Sequence, residues 1–221
     1  MNPLYTDQLY RIEKKDFEKL EQLLSECFLN DPLYANLIPK EETRKKLMPE
    51  LFKCDLEEFF NSCEFYADSE DINGLIIVSD ESEHYNTLRY YIDEFIASIK
   101  TEGYLIKEDP SLKTLWNFYL GKDYLNSKWT DDIEQTKRMH IIYLAVRPSA
   151  QHHGLTSKMM KEVIRYADEF GLELSLETHN ERNVAMYEHF GFTLYEIIEK
   201  HFDLKQYCMV RFAEKENKTI V

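Results

Sequence analysis

The sequence predicts an α/β fold built on a mixed sheet, and three observations lead there. Stretches with apolar residues at helical spacing alternate with apolar runs too short for helices, in the order strand, two helices, hairpin, insertion, strand, helix, strand, helix, two strands. Glycine and proline number six each in 221 residues, which disfavours low-complexity linkers and a turn-dense β-sandwich. Hydrophobic residues make up 43% and aromatics 14%, enough for a sizeable core without disulfide staples. At roughly 100–200 residues per domain, one domain over residues 1–221 is the expectation.

Taken in order, residues 8–13 read as a short strand. Phe17, Leu20, Leu23, Leu24, Cys27 and Phe28 then recur at helical spacing behind Asp16, a good cap, and this helix stops near Asn30-Asp31-Pro32. A second helix is expected over 43–61, with Leu47, Leu51, Leu56, Phe59 and Phe60 as its stripe and Pro49 near its start. Segments 63–67 and 74–79, joined by the turn-rich 68–73, form a hairpin. The insertion 81–138 carries helices over 85–100 and 111–124 and both tryptophans, Trp116 and Trp129. The apolar run 140–146 is a buried strand. Residues 151–154 lead into a helix whose buried face is Met160, Val163, Ile164, Ala167 and Phe170, closed by Gly171. Strand 173–177, helix 181–190 and strands near 192–198 and 203–211 complete the chain.

Composition excludes several classes of function. With 27 basic and 41 acidic residues the net charge is −14, which repels phosphate backbones and anionic lipid, so neither nucleic acid nor a membrane surface is an expected partner. No run approaches the roughly 18 apolar residues of a membrane span, and the polar opening is unlike a secretory signal. Cys27, Cys54, Cys63 and Cys208 show no C-x-x-C spacing and fall in segments that read as helix or strand. Reduced thiols and a cytoplasmic location are therefore expected. No His/Cys cluster has metal-ligand spacing.

The chemistry concentrates in 140–165, where a buried strand, a turn containing Gly154 and a helix start make an anion site. The first turn of a helix leaves backbone N–H groups without partners, and glycine lets the main chain approach a phosphate. Residues 147–165 contain Arg147, Lys158, Lys161 and Arg165 against the single acid Glu162. That charge reads either as attraction for an anion or as the solvated face of an amphipathic helix.

The loop Gln151-His152-His153-Gly154-Leu155-Thr156 resembles the acetyl-CoA loop of the GNAT superfamily of N-acetyltransferases, Gln/Arg-x-x-Gly-x-Gly/Ala, with Thr156 where the family prefers Gly or Ala. A second match lies downstream: Leu176-Glu177-Thr178 at a strand end, then Asn180, Asn183, Ala185, Tyr187 and Gly191-Phe192. Cys27-Phe28 with Asp31-Pro32 also looks like a branch that includes antibiotic-modifying enzymes. The resemblance implies a mostly antiparallel mixed central sheet flanked by helices, with the helical insertion between the third and fourth strands.

It further implies that backbone N–H groups of residues 151–157, Ser157 included, hold the pyrophosphate of acetyl-CoA. The strand around Leu144, Ala145 and Val146 would pair with the pantetheine, and a main-chain N–H there would face the thioester carbonyl. Asn183 would reach the pantetheine or pyrophosphate; its alternative is helix capping. Tyr187 would protonate the departing thiolate; its alternative is a packed core tyrosine. For the base that takes the amine's proton, the candidates are Glu177, His140 or a water relaying to either. The insertion is either an aromatic lid over a cationic amine or a satellite with its own small core. The resulting expectation is acetyl transfer from acetyl-CoA to a small cationic or aromatic primary amine in a ternary complex, with no metal. The alternatives are a protein or peptide N-acetyltransferase and a non-catalytic acyl-CoA-binding module.

Overall fold

The computed structural model describes residues 4, 6–60, 62–80, 99–133 and 137–213. Its strands are β1 (Tyr10–Arg11), β2 (Glu64–Ala67), β3 (Gly74–Asp80), β4 (Arg138–Val146), β5 (Glu173–Thr178), β6 (Thr193–Ile198) and β7 (Gln206–Arg211). Its helices are α1 (Phe17–Phe28), α2 (Pro32–Leu37), α3 (Glu41–Phe59), α4 (Ile99–Glu108), α5 (Lys113–Gly121), α6 (Leu155–Phe170) and α7 (Arg182–His189). The sheet order is β1-β2-β3-β4-β5-β7-β6. Every neighbouring pair is antiparallel except β4–β5, whose parallel alignment requires the crossover that α6 provides.

Both faces of the sheet are covered at β2, β4, β5 and β7, which explains why these strands read as continuous apolar runs, whereas the edge strand β6 is exposed. Side chains alternate: Ile76 and Val78 of β3 pack with Met159, Met160, Val163 and Tyr166 of α6 on one face. Leu75 and Ile77 pack on the other with Leu20, Leu23 and Leu24 of α1 and Met48, Phe52 and Leu56 of α3. The helices after β3 are no separate satellite. Leu105, Phe118 and Tyr124 share a cluster with Leu33 and Leu37 of α2 and Leu47 and Leu51 of α3. Trp129 packs with Cys208 and Val210 of β7.

Several local expectations are corrected. Asp16 does not cap α1: its carboxylate accepts from the Glu13 N–H, closing a capping box around a 3₁₀ turn at Lys14–Asp16. Helix α1 ends at Phe28 as expected, but a further helix follows at Asp31-Pro32. Asp31 caps α2 by accepting from the Leu33 N–H at 2.9 Å, and Pro32 supplies its first helical position. Helix α3 begins earlier than expected, at Glu41, so Pro49 lies inside it and removes one intrahelical bond. On α6, Met159 and Tyr166 are buried where Phe170 was expected; Phe170 is exposed and rests on the Tyr166 ring. Cys63 lies in the turn before β2, and the expected helix over 85–100 lies, except for its last two residues, outside the described residues.

Candidate active site

The site begins where β4 leaves β5. Their pairing runs from Arg138↔Glu173 to Ile141↔Leu176 and ends there. On its other side β4 stays bound to β3, but Ile142 is unopposed, a bulge between the Val78↔Ile141 and Ile77↔Tyr143 pairs. A bulge bends its strand, and beyond it the two strands diverge. Backbone groups of residues 142–146 on the β5 side are thus left for something other than β5.

Two cavities open from this divergence. The first is a groove lined by Leu144, Ala145 and Val146 of β4, by Gln151, His152 and residues 154–157 of the following loop, and by Asn183 and Tyr187 of α7. Gly154 has φ +79° and is the N-cap of α6, with no side chain capping the helix. The first helical N–H to find an inward partner is that of Lys158, which donates to the Gly154 carbonyl, so those of Leu155, Thr156 and Ser157 are left over. The Gln151 side chain donates to the Val146 carbonyl at 3.2 Å, pinning the loop to the strand. Thr156 sits half-buried in the groove wall; His153 does not line the groove.

Three of the four basic residues counted in this segment are engaged elsewhere. Arg147 pairs with Glu26 at 2.6 Å, Arg165 with Glu162 and Glu169, and the Lys158 ammonium donates to the Asp68 carbonyl at 2.7 Å. The anion-binding character of the loop itself is carried by backbone N–H groups and the helix terminus, and Arg182 of α7 adds a positive charge to the groove lining.

The second cavity is a recess of about 170 Å³ floored by residues 141–144 of β4. Helix α3 supplies Leu51, Asp55 and Phe59; the α1–α2 corner supplies Phe28, Asp31 and Tyr34; the end of β5 supplies Glu177 and His179. The insertion adds Phe118, Tyr124 and Leu125 to the lining. Groove and recess meet at Phe28, Asp31, Leu144, Asn183 and Tyr187, which line both.

Tyr187 is 6% exposed, with its ring edge-on to Phe192. Among the described residues no group bonds its hydroxyl. Burial, then the nearby Asp31 carboxylate, push the phenol well above its usual range, so it stays protonated. Asn183 donates to the Thr178 hydroxyl at 3.2 Å instead of capping α7, its alternative reading, and Asn180 just before the helix accepts from the Arg182 N–H.

Glu177 lines the recess and accepts from the Ser127 hydroxyl at 2.7 Å and the Trp129 indole at 3.1 Å. Nε2 of His140 lies 3.2 Å from its carboxylate. Burial pushes this carboxyl up, but His140 and the two donors outweigh it and hold it below the usual range. His140 itself is 1% exposed, lies behind Glu177, and places Nδ1 2.9 Å from the Ser175 hydroxyl. It does not line the recess.

Sequence reasoning gave no role to Asp31, Asp55, Tyr143 or His179. Burial pushes the Asp31 carboxyl up to about 6 and that of Asp55 up to about 7, against the 2.6 Å hydrogen bond that the Tyr143 hydroxyl donates to Asp55. Asp55 was discernible as an acid in phase with Leu51 and Phe59 on the buried stripe of α3; the others depend on tertiary contacts. Folding disfavours the ionised form of Asp55, so stability is intact below the ordinary carboxyl pKa near 3.9 and is lost as pH rises toward 7. Asp55→Asn is expected to raise Tm by about 2–8 °C at pH ~8 and by less at pH ~5, as read by calorimetry. Among the described residues no cluster of three or more side chains could hold a metal, and no helix is long and apolar enough to cross a membrane.

This geometry can be set beside known proteins. The sequence profile of the Acetyltransferase (GNAT) family matches residues 17–192. A curated relative, the uncharacterized N-acetyltransferase C550.08 of Schizosaccharomyces pombe, is 24% identical over 224 residues, spanning 94% of this chain and 84% of its own. A crystal structure from Corynebacterium glutamicum, described as histone acetyltransferase HPA2 and related acetyltransferase, aligns with a TM-score of 0.62 at 18% identity over 93% of this chain and 96% of that one. A mosquito arylalkylamine N-acetyltransferase like 5b aligns at 0.57 with 13% identity over 92% and 98%, and a Thermoplasma acidophilum PaiA N-acetyltransferase in complex with coenzyme A at 0.54 with 14% over 92% and 97%. At these identities the solved structures establish the fold. Because the family profile covers most of the chain, the chain belongs to the GNAT family of acetyltransferases.

Proposed function

We propose that the protein moves the acetyl group of acetyl-CoA directly to a small cationic or aromatic primary amine, with acetyl-CoA in the groove and the amine in the recess. The observation that carries this reading is the junction of the two cavities at Tyr187 and Asp31. Pyrophosphate is held by the N–H groups of residues 154–157, and pantetheine amides pair with the β4 backbone freed beyond Ile141. A β4 main-chain N–H faces the thioester carbonyl, where negative charge grows as the amine attacks.

The amine nitrogen forms a bond to the thioester carbon and the C–S bond breaks. Asp31 takes the amine's proton, since a carboxyl raised to about 6 is a better base than the donor-bound Glu177. Glu177 serves as the fixed charge that draws the ammonium in. Tyr187 gives its proton to the thiolate and is reprotonated by the second proton that leaves the nitrogen as the amide forms. Cys27 lines the groove, but burial first, then Glu26, push its thiol up to about 12, so it is no acyl carrier.

A small acceptor is favoured by the size of the recess, about 170 Å³, with Phe118, Tyr124 and Leu125 in its lining. Of the aromatics that the lid reading would place over the amine, Trp116 is 59% exposed, stacks on Tyr119 and does not line the recess. The test is thiol release from acetyl-CoA across small cationic amines, aromatic amines and peptides. At least one small amine should exceed every peptide by tenfold or more in kcat/KM; a peptide preference would overturn this choice of acceptor.

The loop makes its own prediction. A side chain at Gly154 meets no protein atom within 4 Å but must adopt φ +79° and projects from the main chain where it approaches the phosphates. Gly154→Val should weaken acetyl-CoA binding roughly 10- to 100-fold by calorimetry, through backbone strain and lost main-chain contacts. Unchanged affinity would remove the loop from the site.

A further inference from the structure

We propose that the recess is built for a primary amine carrying a second cationic group, and that Asp55 is the seat of that distal cation. The inference rests on the recess being the acceptor site. Asp55 stands on the core-facing stripe of α3 and is 7% exposed, a position that helical register reserves for an apolar side chain. The residue lines the recess, and its carboxylate receives one hydrogen bond, from the Tyr143 hydroxyl to Oδ2. Among the described residues nothing donates to Oδ1. A buried carboxylate with one neutral donor is strongly disfavoured as an ion, and a positive ligand reverses that.

The charges around it point the same way. Three carboxylates line the recess and, among the described residues, no Lys or Arg does. Glu177 is matched by Ser127, Trp129 and His140. Asp31 is tied to the start of α2 and stands at the junction beside Tyr187. A monoamine brings its single charge to that junction and leaves Asp55 unmatched. Phe28 and Tyr34 also line the recess, with the Phe28 ring 5.7 Å from that of Tyr143 and 6.1 Å from that of Tyr34, and aromatic faces attract a cation.

His179 adds a second, independent observation. Its Nε2 is buried without a hydrogen-bond partner, and the residue lines the recess. Burial holds the imidazole down to about 4, so it offers an acceptor without adding positive charge. A bare contact between α3 and β4 could be made by a neutral pair; a carboxylate with an open oxygen and an unpaired imidazole in one recess fit a hydrogen-bonding cation.

The test uses the full chain with saturating acetyl-CoA at pH ~8. Rates for 1,3-diaminopropane, 1,4-diaminobutane and 1,5-diaminopentane are each compared with the alkyl monoamine of equal length. Beyond the twofold statistical advantage of two equivalent amines, the best diamine should exceed its monoamine in kcat/KM by roughly 10- to 100-fold. Asp55→Asn should cut that ratio tenfold or more, about 1.4 kcal/mol, in a protein that melts no lower than wild type. Tyr143→Phe, which keeps the carboxylate but removes the donor that orients it, should shrink the same ratio. Equal rates for diamines and monoamines in the unmodified protein overturn the inference while leaving amine acetylation standing, as does a preference that Asp55→Asn leaves intact. If no amine is acetylated, the transfer reading itself fails; calorimetry of diamine against monoamine on the CoA-bound protein then decides the seat, and equal affinities reject it.

Discussion

Tyr187→Phe is expected to lower kcat by roughly 10²–10⁴ while the Kd for acetyl-CoA changes little. The substitution keeps the ring, and with it the edge-on contact to Phe192 and the place of α7 over the junction. It removes a hydroxyl that no described residue bonds, so stability should fall by no more than about 1 kcal/mol. A core tyrosine would show the opposite profile, a modest stability loss and unchanged turnover. Because burial and Asp31 hold the phenol well above its usual range, it should produce no basic limb in the pH–rate profile below about pH 10. Stopped-flow detection of thiol release under single-turnover conditions isolates the chemical step. A mutant as fast as wild type there would eliminate Tyr187 as the acid.

Asp31→Asn should have an effect of similar size, roughly 10²–10⁴ in kcat, for the complementary reason. The amide keeps an oxygen to accept from the Leu33 N–H, so the α2 cap survives, but it cannot take a proton. In the unmodified protein kcat/KM should rise with pH through about 6, where Asp31 ionises, and the mutant should lose that limb. Asp55, raised to about 7, titrates nearby, so the limb should be read with a monoamine acceptor. A full acid limb in Asp31→Asn would move the base role to Glu177 acting through water. Glu177→Gln is expected chiefly to raise the amine KM, because its bonds to Ser127, Trp129 and His140 keep it a weak base.

What the sequence revealed tracks the range of the interactions involved. The groove was legible because its determinants are local: the apolar run of β4, the glycine in its left-handed turn and the periodicity of α6 lie within one short stretch. Helix α2 was hidden because Asp31-Pro32 signals both a helix stop and a capped helix start, and six residues are too few to show a period. Counting charges on 147–165 left two readings open because Arg147 and Lys158 reach residues far away in the chain, Glu26 and Asp68. The recess was least legible. Glu177 is held by residues 50 and 48 positions away, Ser127 and Trp129, and Asp55 meets Tyr143 across 88. Only the acid on the apolar stripe of α3 gave a signal in one dimension, and helical register alone does not say which ligand it meets.

Direct transfer between the groove and the recess is tested by one turnover of acetyl-CoA with protein in excess and a preferred amine present, quenched at intervals and read by mass spectrometry on both protein and amine. Acetyl-amine should appear at the rate of thiol release, the protein mass should stay unchanged at every interval, and omitting the amine should suppress release. Acetylated protein that forms and decays before the acetyl-amine appears, or thiol release at the same rate without amine, would contradict the account.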